Sequence, residues 1–276
     1  MKRYLKQLYR LSDALVEDPR FFFKQVAIAV PSICSPYRFS RAYKDTARRS
    51  SREQTSLSSS MNPLWDYFQN HWDGRGIWKW VHYFDIYHRH LSRFVGQKVN
   101  VMEIGIYSGG SLEMWRSYFG EKSHIYGVDI KEACKVYEND HISVFIGDQA
   151  DRAFWSTFRK SVESIDIIID DGGHTPEHQQ ITLEEMLPHL RPGGVYLCED
   201  VHRVSNRFSA FVTGLVSELN GMNLISGPLL QSSVSQFQSS IHSIHFYPYV
   251  VVIEKHPVSP TKLSALKHGI EWQPFL

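Results

Sequence analysis

Five short runs of β-branched and other apolar residues follow one another through the middle of the chain. They lie at residues 99–104, 124–129, 142–146, 165–170 and 195–198. Stretches of helical composition, at 111–119, 151–158 and 176–190, separate most of them. Because parallel strands need long crossover connections, this alternation predicts βαβ units and an α/β fold with a Rossmann-like, doubly wound, mostly parallel sheet.

Two further apolar runs lie near the C-terminus. They occupy residues 243–246 and 249–254, with a tight connection around Pro248. A connection this short joins antiparallel strands. We therefore expect these runs to supply an antiparallel edge to the sheet.

The 276 residues suffice for one large α/β domain and a helical N-terminal extension. Residues 38–60 are polar and rich in Ser and Arg, so we expect 1–60 to form an N-terminal segment with a flexible linker. Residues 61–97 are rich in aromatic side chains and predict a helical cap. Residues 98–276 then form the main domain.

Charge and cysteine content narrow the class of partner. Thirty basic and twenty-nine acidic side chains leave a net charge of +1, which favours a small-molecule partner over nucleic acid or an anionic membrane. Cys34, Cys134 and Cys198 form neither a zinc motif nor a disulfide framework. With no signal peptide and no run long enough to span a membrane, we expect reduced thiols and a cytoplasmic location.

The first strand leads directly into a glycine-rich turn. Glu103 is followed by Gly105, Gly109, Gly110 and Ser111. Glycines let the backbone approach a ligand closely, and the following helix offers free N–H groups. This spacing departs from the GxGxxG dinucleotide pattern, which favours a nucleoside ligand other than NAD.

The second and third strands also end in carboxylates. Asp129 is placed to accept hydrogen bonds from ribose hydroxyls, although NAD enzymes use the same arrangement. Asp148 lies on the same rim of the sheet, the edge at which the parallel strands end, within reach of an adenine amino group. Asp151 is favoured as the N-cap of the next helix.

Acidic pairs follow the fourth and fifth strands. These are Asp170 and Asp171, and Glu199 and Asp200. Four converging carboxylates would repel one another, and a divalent cation relieves that repulsion. Oxygen ligands favour a hard ion, so we expect Mg²⁺ or a similar cation.

His174 lies three residues after Asp171 on a glycine-containing turn. An imidazole at this place suits removal of a proton from a substrate hydroxyl. In the alternative, Asp170 and His174 only satisfy N–H groups of the turn and of the next helix. His202 is interpreted as a surface histidine rather than a substrate contact.

Together, the segments EIGIYSGGS, GVDI, GDQAD, IDIIIDDGGH and RPGGVYLCEDVH resemble the macrocin- and mycinamicin-type sugar O-methyltransferases, a class I branch near the cephalosporin-hydroxylase-like proteins. The resemblance covers residues 76–256. It implies methyl transfer from S-adenosylmethionine to a hydroxyl of a small molecule, with magnesium positioning that hydroxyl and a histidine base. Residues 1–60 do not resemble the family's usual auxiliary domain, so the acceptor, for which a sugar moiety is one candidate, and the oligomeric state stay open.

The resemblance also assigns residues. The cofactor positions are Glu103, Gly105, Ser111, Asp129 and Asp148, to which we add Tyr107 and Asp170 on the same rim. The metal positions are Asp171, Glu199 and Asp200, and the base position is His174.

Two alternatives to a methyltransferase fit the sequence less well. An NAD oxidoreductase lacks its third glycine here and leaves the acidic pairs unexplained. A degenerate cofactor-binding protein, acting through its N-terminal extension, would not need Asp171, His174, Glu199 and Asp200 intact.

Overall fold

A seven-stranded sheet with helices on both faces dominates the described part of the computed structural model, which comprises residues 19, 23, 62–202, 206–221, 223–225 and 231–270. The chain divides into two compact units, Met1–Ser60 and Met61–Leu276, and every element below belongs to the second. The linker expected within 38–60 lies outside the described residues. The boundaries at residues 60 and 97 stay predictions.

The ten described strands form two sheets. They are β1 (Asn100–Ile104), β2 (His124–Asp129), β3 (Ile142–Ile146), β4 (Ile165–Asp170), β5 (Leu190–Cys198), β6 (Asn223–Ile225), β7 (Gln231–Ser233), β8 (Ile241–Tyr247), β9 (Val250–Lys255) and β10 (Lys262–Ser264). The large sheet has the order β3-β2-β1-β4-β5-β9-β8, and the small one has the order β10-β7-β6.

Seven helices lie within the described part of this unit. They are α1 (Pro63–Asn70), α2 (Tyr83–Leu91), α3 (Gly110–Phe119), α4 (Arg152–Ser161), α5 (Pro176–Met186), α6 (Arg207–Leu219) and α7 (Gln236–Ser240). Helices α1, α2 and α3 pack on one face of the large sheet, and α4, α5 and α6 pack on the other. None of these helices has the length and apolar character that crossing a bilayer requires.

The first five strands are parallel, which confirms the predicted Rossmann-like fold. Their register aligns the carboxyl ends: Ile104 lies opposite both Val128 and Asp170, and Asp170 lies opposite Cys198. Residues that follow β1, β4 and β5 therefore meet at one edge. Open α/β sheets bind their ligands at this edge.

The predicted antiparallel edge is confirmed as a hairpin of β8 and β9. Strand β9 is antiparallel to both β5 and β8, so the reversed strand lies second from the edge. The chain turns at Pro248 and Tyr249, and Tyr249 has a left-handed backbone with φ of 65°. The turn thereby reaches the same end of the sheet as the ends of the parallel strands.

The predicted helix at 176–190 is wrong at its C-terminal end. Helix α5 stops at Met186, shortly before Pro188, which has no N–H to continue the helix. Leu190 already pairs with Ile165, so β5 begins at Leu190 and not at residue 195, where the sequence predicted it to begin. The register shifts between Ile165 and Ile167, and this irregularity accommodates the Pro-Gly-Gly segment.

The aromatic segment at 61–97 packs on the sheet through α1 and α2. The Asn62 side chain accepts hydrogen bonds from the N–H groups of Leu64 and Trp65 and donates to the Phe84 carbonyl at 3.0 Å. One asparagine therefore caps α1 and ties it to α2. Residues 71–82, between the two helices, are not helical and bring Lys79 and Trp80 to the edge of the sheet.

Candidate active site

The turn that follows β1 lies directly against the turn that follows β4. Gly105 has φ of 88°, and a Cβ built on it would lie 2.1 Å from the carbonyl oxygen of Asp171. Its N–H donates to the Val128 carbonyl at 2.8 Å. Only glycine fits this conformation and this contact, so the predicted importance of Gly105 has a steric basis.

Glu103 and Ser111 meet behind this turn. The Ser111 hydroxyl, at the start of α3, donates to Glu103 Oε2 at 2.7 Å. Glu103 is fully buried, and burial raises the pKa of its carboxyl while the nearby Lys79 opposes that rise. The two residues hold the N-terminus of α3 beside the end of β1.

Asp129 orders the glycine turn, which comprises residues 105–110. Its Oδ2 accepts hydrogen bonds from the N–H groups of Ile106 at 2.9 Å and Tyr107 at 3.3 Å. Its Oδ1 accepts from the N–H of Lys131. Tyr107 has φ of 49° and an exposed ring. The carboxylate and the ring therefore lie together at the rim where the sequence placed a nucleoside.

Asp148 and Asp170 have contrasting surroundings. Asp148 is exposed at the end of β3 and accepts from the N–H of Ala150. Asp170 is buried, and its oxygens accept from Gln149 Nε2 at 2.6 Å and from the Tyr196 hydroxyl at 3.0 Å. Asp170 also accepts from the N–H of Gly172, which favours the alternative that it orders the turn.

Lys79 lies among three carboxylates. Its Nζ is 2.5 Å from Asp171 Oδ2, 3.1 Å from both oxygens of Glu199 and 3.4 Å from Glu103 Oε1. Its side chain is only 3% exposed. Burial disfavours the ammonium, but the three carboxylates together raise the pKa of Lys79 well above its ordinary value. Lys79 is therefore a buried cation.

Glu199, like Glu103, has a fully enclosed carboxylate. Besides Lys79, its Oε1 accepts from the Tyr87 hydroxyl at 2.7 Å. The Gln179 side chain donates to its backbone carbonyl at 3.0 Å. Burial and the Asp171 charge raise the pKa of Glu199 well above its usual range, against the effect of Lys79.

Asp171, His174 and Asp200 form the more open side of the site. His174 Nε2 lies 3.9 Å from Asp171 Oδ1 and 3.7 Å from Asp200 Oδ2. The three residues offer ligand atoms within 4.8 Å of one another, which fits one metal ion. His174 Nδ1 is buried and has no hydrogen-bond partner among the described residues.

Two of these residues have unusual backbone conformations. His174 has φ of 50° and Asp200 has φ of 53°. Left-handed backbones at non-glycine residues are costly and cluster at functional sites. Trp80 Nε1 and the Tyr83 hydroxyl both donate to Asp200 Oδ1, at 3.1 and 2.8 Å. These contacts fix the orientation of the Asp200 side chain.

The structure thus brings Asp171, His174, Glu199 and Asp200 together as predicted neighbours at the ends of β4 and β5. The individual roles assigned to them, and to the residues around the glycine turn, stay predictions. Asp151 is confirmed as the N-cap of α4, because its side chain accepts from the N–H of Ala153.

Sequence reasoning missed three participants. Lys79 and Tyr87 lie in the aromatic segment 61–97, where the sequence predicts only a helical cap. Gln149 was passed over, although its Nε2 donates to Asp170 and its Oε1 accepts from the N–H of Gly173 at 2.9 Å. Its place between Asp148 and Asp151 in GDQAD was the available signal.

Comparison with known proteins adds a family match. Residues 102–201 match the family described as methyltransferase domain. Mycinamicin VI 2''-O-methyltransferase of Micromonospora griseorubida is 31% identical over 190 residues, which cover 61% of this chain and 47% of the relative. Demethylmacrocin O-methyltransferase of Streptomyces fradiae is 36% identical over 132 residues, or 45% of this chain and 33% of the relative.

Comparison with solved structures agrees with these sequence matches. MycE methyltransferase from the mycinamycin pathway, solved in complex with Mg and SAH, matches with a TM-score of 0.57 and 28% identity. The match covers 71% of this chain and 54% of MycE. The chain spans about half, or less, of the length of these relatives. Its residues 102–201 match a methyltransferase domain, and, as its motifs predicted, the chain is similar to the macrocin- and mycinamicin-type sugar O-methyltransferases.

Proposed function

We propose that this protein is an S-adenosylmethionine-dependent O-methyltransferase that methylates a hydroxyl of a glycosylated small molecule. One observation carries the proposal: Asp171, His174 and Asp200 converge within 4.8 Å beside the glycine turn of a methyltransferase domain. The relatives are named as methyltransferases of sugar-bearing compounds, which supports the acceptor class. The buried free thiols of Cys134 and Cys198 fit a cytoplasmic location.

The cofactor would bind along the carboxyl ends of β1, β2 and β3. The glycine turn is held by Asp129, and Asp129 and Asp148 would present carboxylates to a nucleoside at this edge. Tyr107 offers an exposed ring at the same rim. Glu103 and Ser111 support the start of α3 from behind.

A divalent cation would bind at Asp171 and Asp200, with Glu199 as the third proposed ligand. Carboxylate oxygens favour Mg²⁺, which the MycE structure contains. The carboxylates of Asp171 and Asp200 fit such an ion. Both oxygens of Glu199 contact Lys79, so Glu199 has to be released from Lys79 before it can bind a metal. When bound, the cation would lower the pKa of an acceptor hydroxyl.

His174 would act as the general base. Its Nε2 lies between the carboxylates of Asp171 and Asp200, at the open side of the site where an acceptor hydroxyl would be presented. As the acceptor oxygen bonds to the methyl carbon, the carbon–sulfur bond of the sulfonium breaks and its electrons return to sulfur. The hydroxyl proton moves to His174 Nε2.

Calorimetry with S-adenosylhomocysteine tests the cofactor, with and without Mg²⁺ and with NAD as the control ligand. We expect binding of S-adenosylhomocysteine and none of NAD. His174→Ala should lower turnover by about 10²–10⁴-fold, the usual contribution of a general base, with little change in cofactor affinity. His141→Ala, at an exposed histidine remote from the site, is the matched control.

Two results would contradict the proposal. Absence of S-adenosylhomocysteine binding would leave the fold without this function and favour the degenerate binding protein. Full turnover in His174→Ala would remove the histidine from the base role.

A further inference from the structure

Four aromatic rings form a partly exposed surface beside Asp200. This aromatic platform consists of Trp80, His82, His202 and Tyr249. The ring centroids of Trp80 and Tyr249 are 5.5 Å apart, and these rings are 51% and 42% exposed. His202 meets Tyr249 edge to face at 5.6 Å. A cluster of exposed aromatic rings is typical of ligand-binding surfaces.

Several specific contacts hold the platform in place. His82 Nε2 lies 2.9 Å from the carbonyl oxygen of Pro248, and the N–H of Val201 donates to the carbonyl of Tyr249 at 2.8 Å. These contacts tie the β8–β9 turn to the segment after β5. Tyr249 keeps a left-handed backbone, which is costly for a non-glycine residue and persists only where the surroundings enforce it.

The platform is coupled directly to the proposed reaction centre. Trp80 Nε1 donates to Asp200 Oδ1 at 3.1 Å, while Asp200 Oδ2 lies 3.7 Å from His174 Nε2. One carboxylate therefore separates the indole from the proposed base. A ligand lying on Trp80 would place its polar edge at Asp200 and His174.

The chemistry of this surface selects a neutral polyol ring. Aromatic faces contact the C–H face of a pyranose, and the carboxylate and imidazole at the border pair with its hydroxyls. The nearby charges of Asp171 and Asp200 disfavour phosphorylated or acidic ligands. A membrane would require a larger apolar patch without carboxylates.

We propose that Trp80 and Tyr249 bind the C–H face of the acceptor's sugar ring and thereby present a ring hydroxyl to His174. This inference rests on the proposed function, because it names the surface that selects the acceptor of that reaction. Trp80 and Tyr249 are then specificity-determining residues.

Saturation-transfer NMR with methyl α-L-rhamnopyranoside tests the platform on the full chain, with S-adenosylhomocysteine and Mg²⁺ present. We expect saturation of the ring C–H protons in the wild-type protein. Trp80→Leu should weaken probe binding about tenfold, the usual value of one aromatic contact. Trp80→Phe keeps a ring and should retain most of the binding.

Trp72→Leu is the matched control, because Trp72 is 87% exposed and lies outside the platform. It should bind the probe as the wild-type protein does. Wild-type affinity in Trp80→Leu, an equal loss in Trp72→Leu, or absence of saturation transfer to the wild-type complex would each overturn the inference. The NMR readout needs no methyl transfer, so failure of the proposed reaction, seen by calorimetry and turnover, is a separate result.

Discussion

Replacing Lys79 with methionine tests whether one buried cation holds the acidic cluster together, the cluster being Glu103, Asp171, Glu199 and Asp200. Methionine keeps much of the side-chain volume but removes the charge. Glu103 and Glu199 are fully buried, and neither oxygen of Glu199 would keep its cationic partner. The substitution therefore leaves buried carboxylates uncompensated.

The expected size of the effect follows from this burial. Removing one partner of a buried ion pair costs about 3–5 kcal/mol, and Lys79 qualifies because only 3% of its side chain is exposed. For a chain of this length, 1 kcal/mol lowers the melting temperature by about 2–4 °C. Lys79→Met should therefore melt about 6–20 °C below the wild-type protein.

The loss of stability in Lys79→Met should also depend on pH. Burial raises the folded-state pKa of Glu103 and of Glu199 above the ordinary value of 4.5, and losing Lys79 removes an interaction that opposes this rise. A raised folded pKa stabilises the protein below pH 4.5, and that contribution disappears as the pH rises through the folded pKa. The difference in melting temperature between variant and wild type should therefore widen as the pH rises above 4.5.

Thermal melting in EDTA, monitored by circular dichroism, measures both effects without a metal ion to replace the ammonium. Lys255→Met is the matched control. Its Nζ is half-buried and, within the described part of the chain, donates to the carbonyls of Leu187 and Leu190 without a carboxylate partner, so its loss should cost about 1–2 kcal/mol. A shift below about 2 °C in Lys79→Met, or a difference that does not change with pH, would refute the reasoning.

Three further predictions concern the fold and the cofactor. Gly105→Ala should cost about 4 kcal/mol or more in urea unfolding, because its Cβ meets a backbone carbonyl at 2.1 Å, whereas Gly214→Ala has open space and should be tolerated. Asp129→Asn should weaken S-adenosylhomocysteine binding about 10–100-fold by calorimetry, the loss expected for a charged hydrogen bond. A hydrogen bond from His90 lowers the pKa of Glu254 to about 2, so its stabilisation is present above pH 4.5 and lost as the pH falls toward 2. Glu254→Gln should therefore lower the urea midpoint at pH 7, and the difference should disappear in acid.

The strands of the main sheet were predictable because their signals are local. Strands β2, β3 and β4 begin and end where the apolar runs do, since polar residues or glycine bound each run. The start of β5 was not predictable. Pro192 and Gly193 have the composition of a turn, and only the pairing of Leu190 with Ile165 across the sheet makes this segment a strand.

The candidate site was predictable only where strand order determines it. Neighbouring strands β4 and β5 bring Asp171 and Asp200 together, and sequence reasoning needs nothing more than the parallel sheet to find them. Lys79 contacts Asp171 across 92 residues of chain, and no periodicity connects two such positions. Asp170 was predicted as a cofactor residue at the rim with Tyr107. As the last residue of β4 it is buried, and its role stays a prediction.

The acidic cluster consists of an inner half, Glu103 and Glu199, and an outer half, Asp171 and Asp200, which differ in their exposure to solvent. Glu103 and Glu199 are inaccessible, and Lys79, with its pKa held high, supplies them and Oδ2 of Asp171 with a permanent cation. Asp171 and Asp200 keep 19% and 20% of their side chains exposed, so the outer half can exchange its partner with solvent. A single ammonium cannot neutralise four carboxylates, and the remaining charge lies where a divalent ion and an acceptor hydroxyl can enter. The buried lysine thus allows a chain to build a rigid acidic site in the absence of metal while leaving its open side available for one.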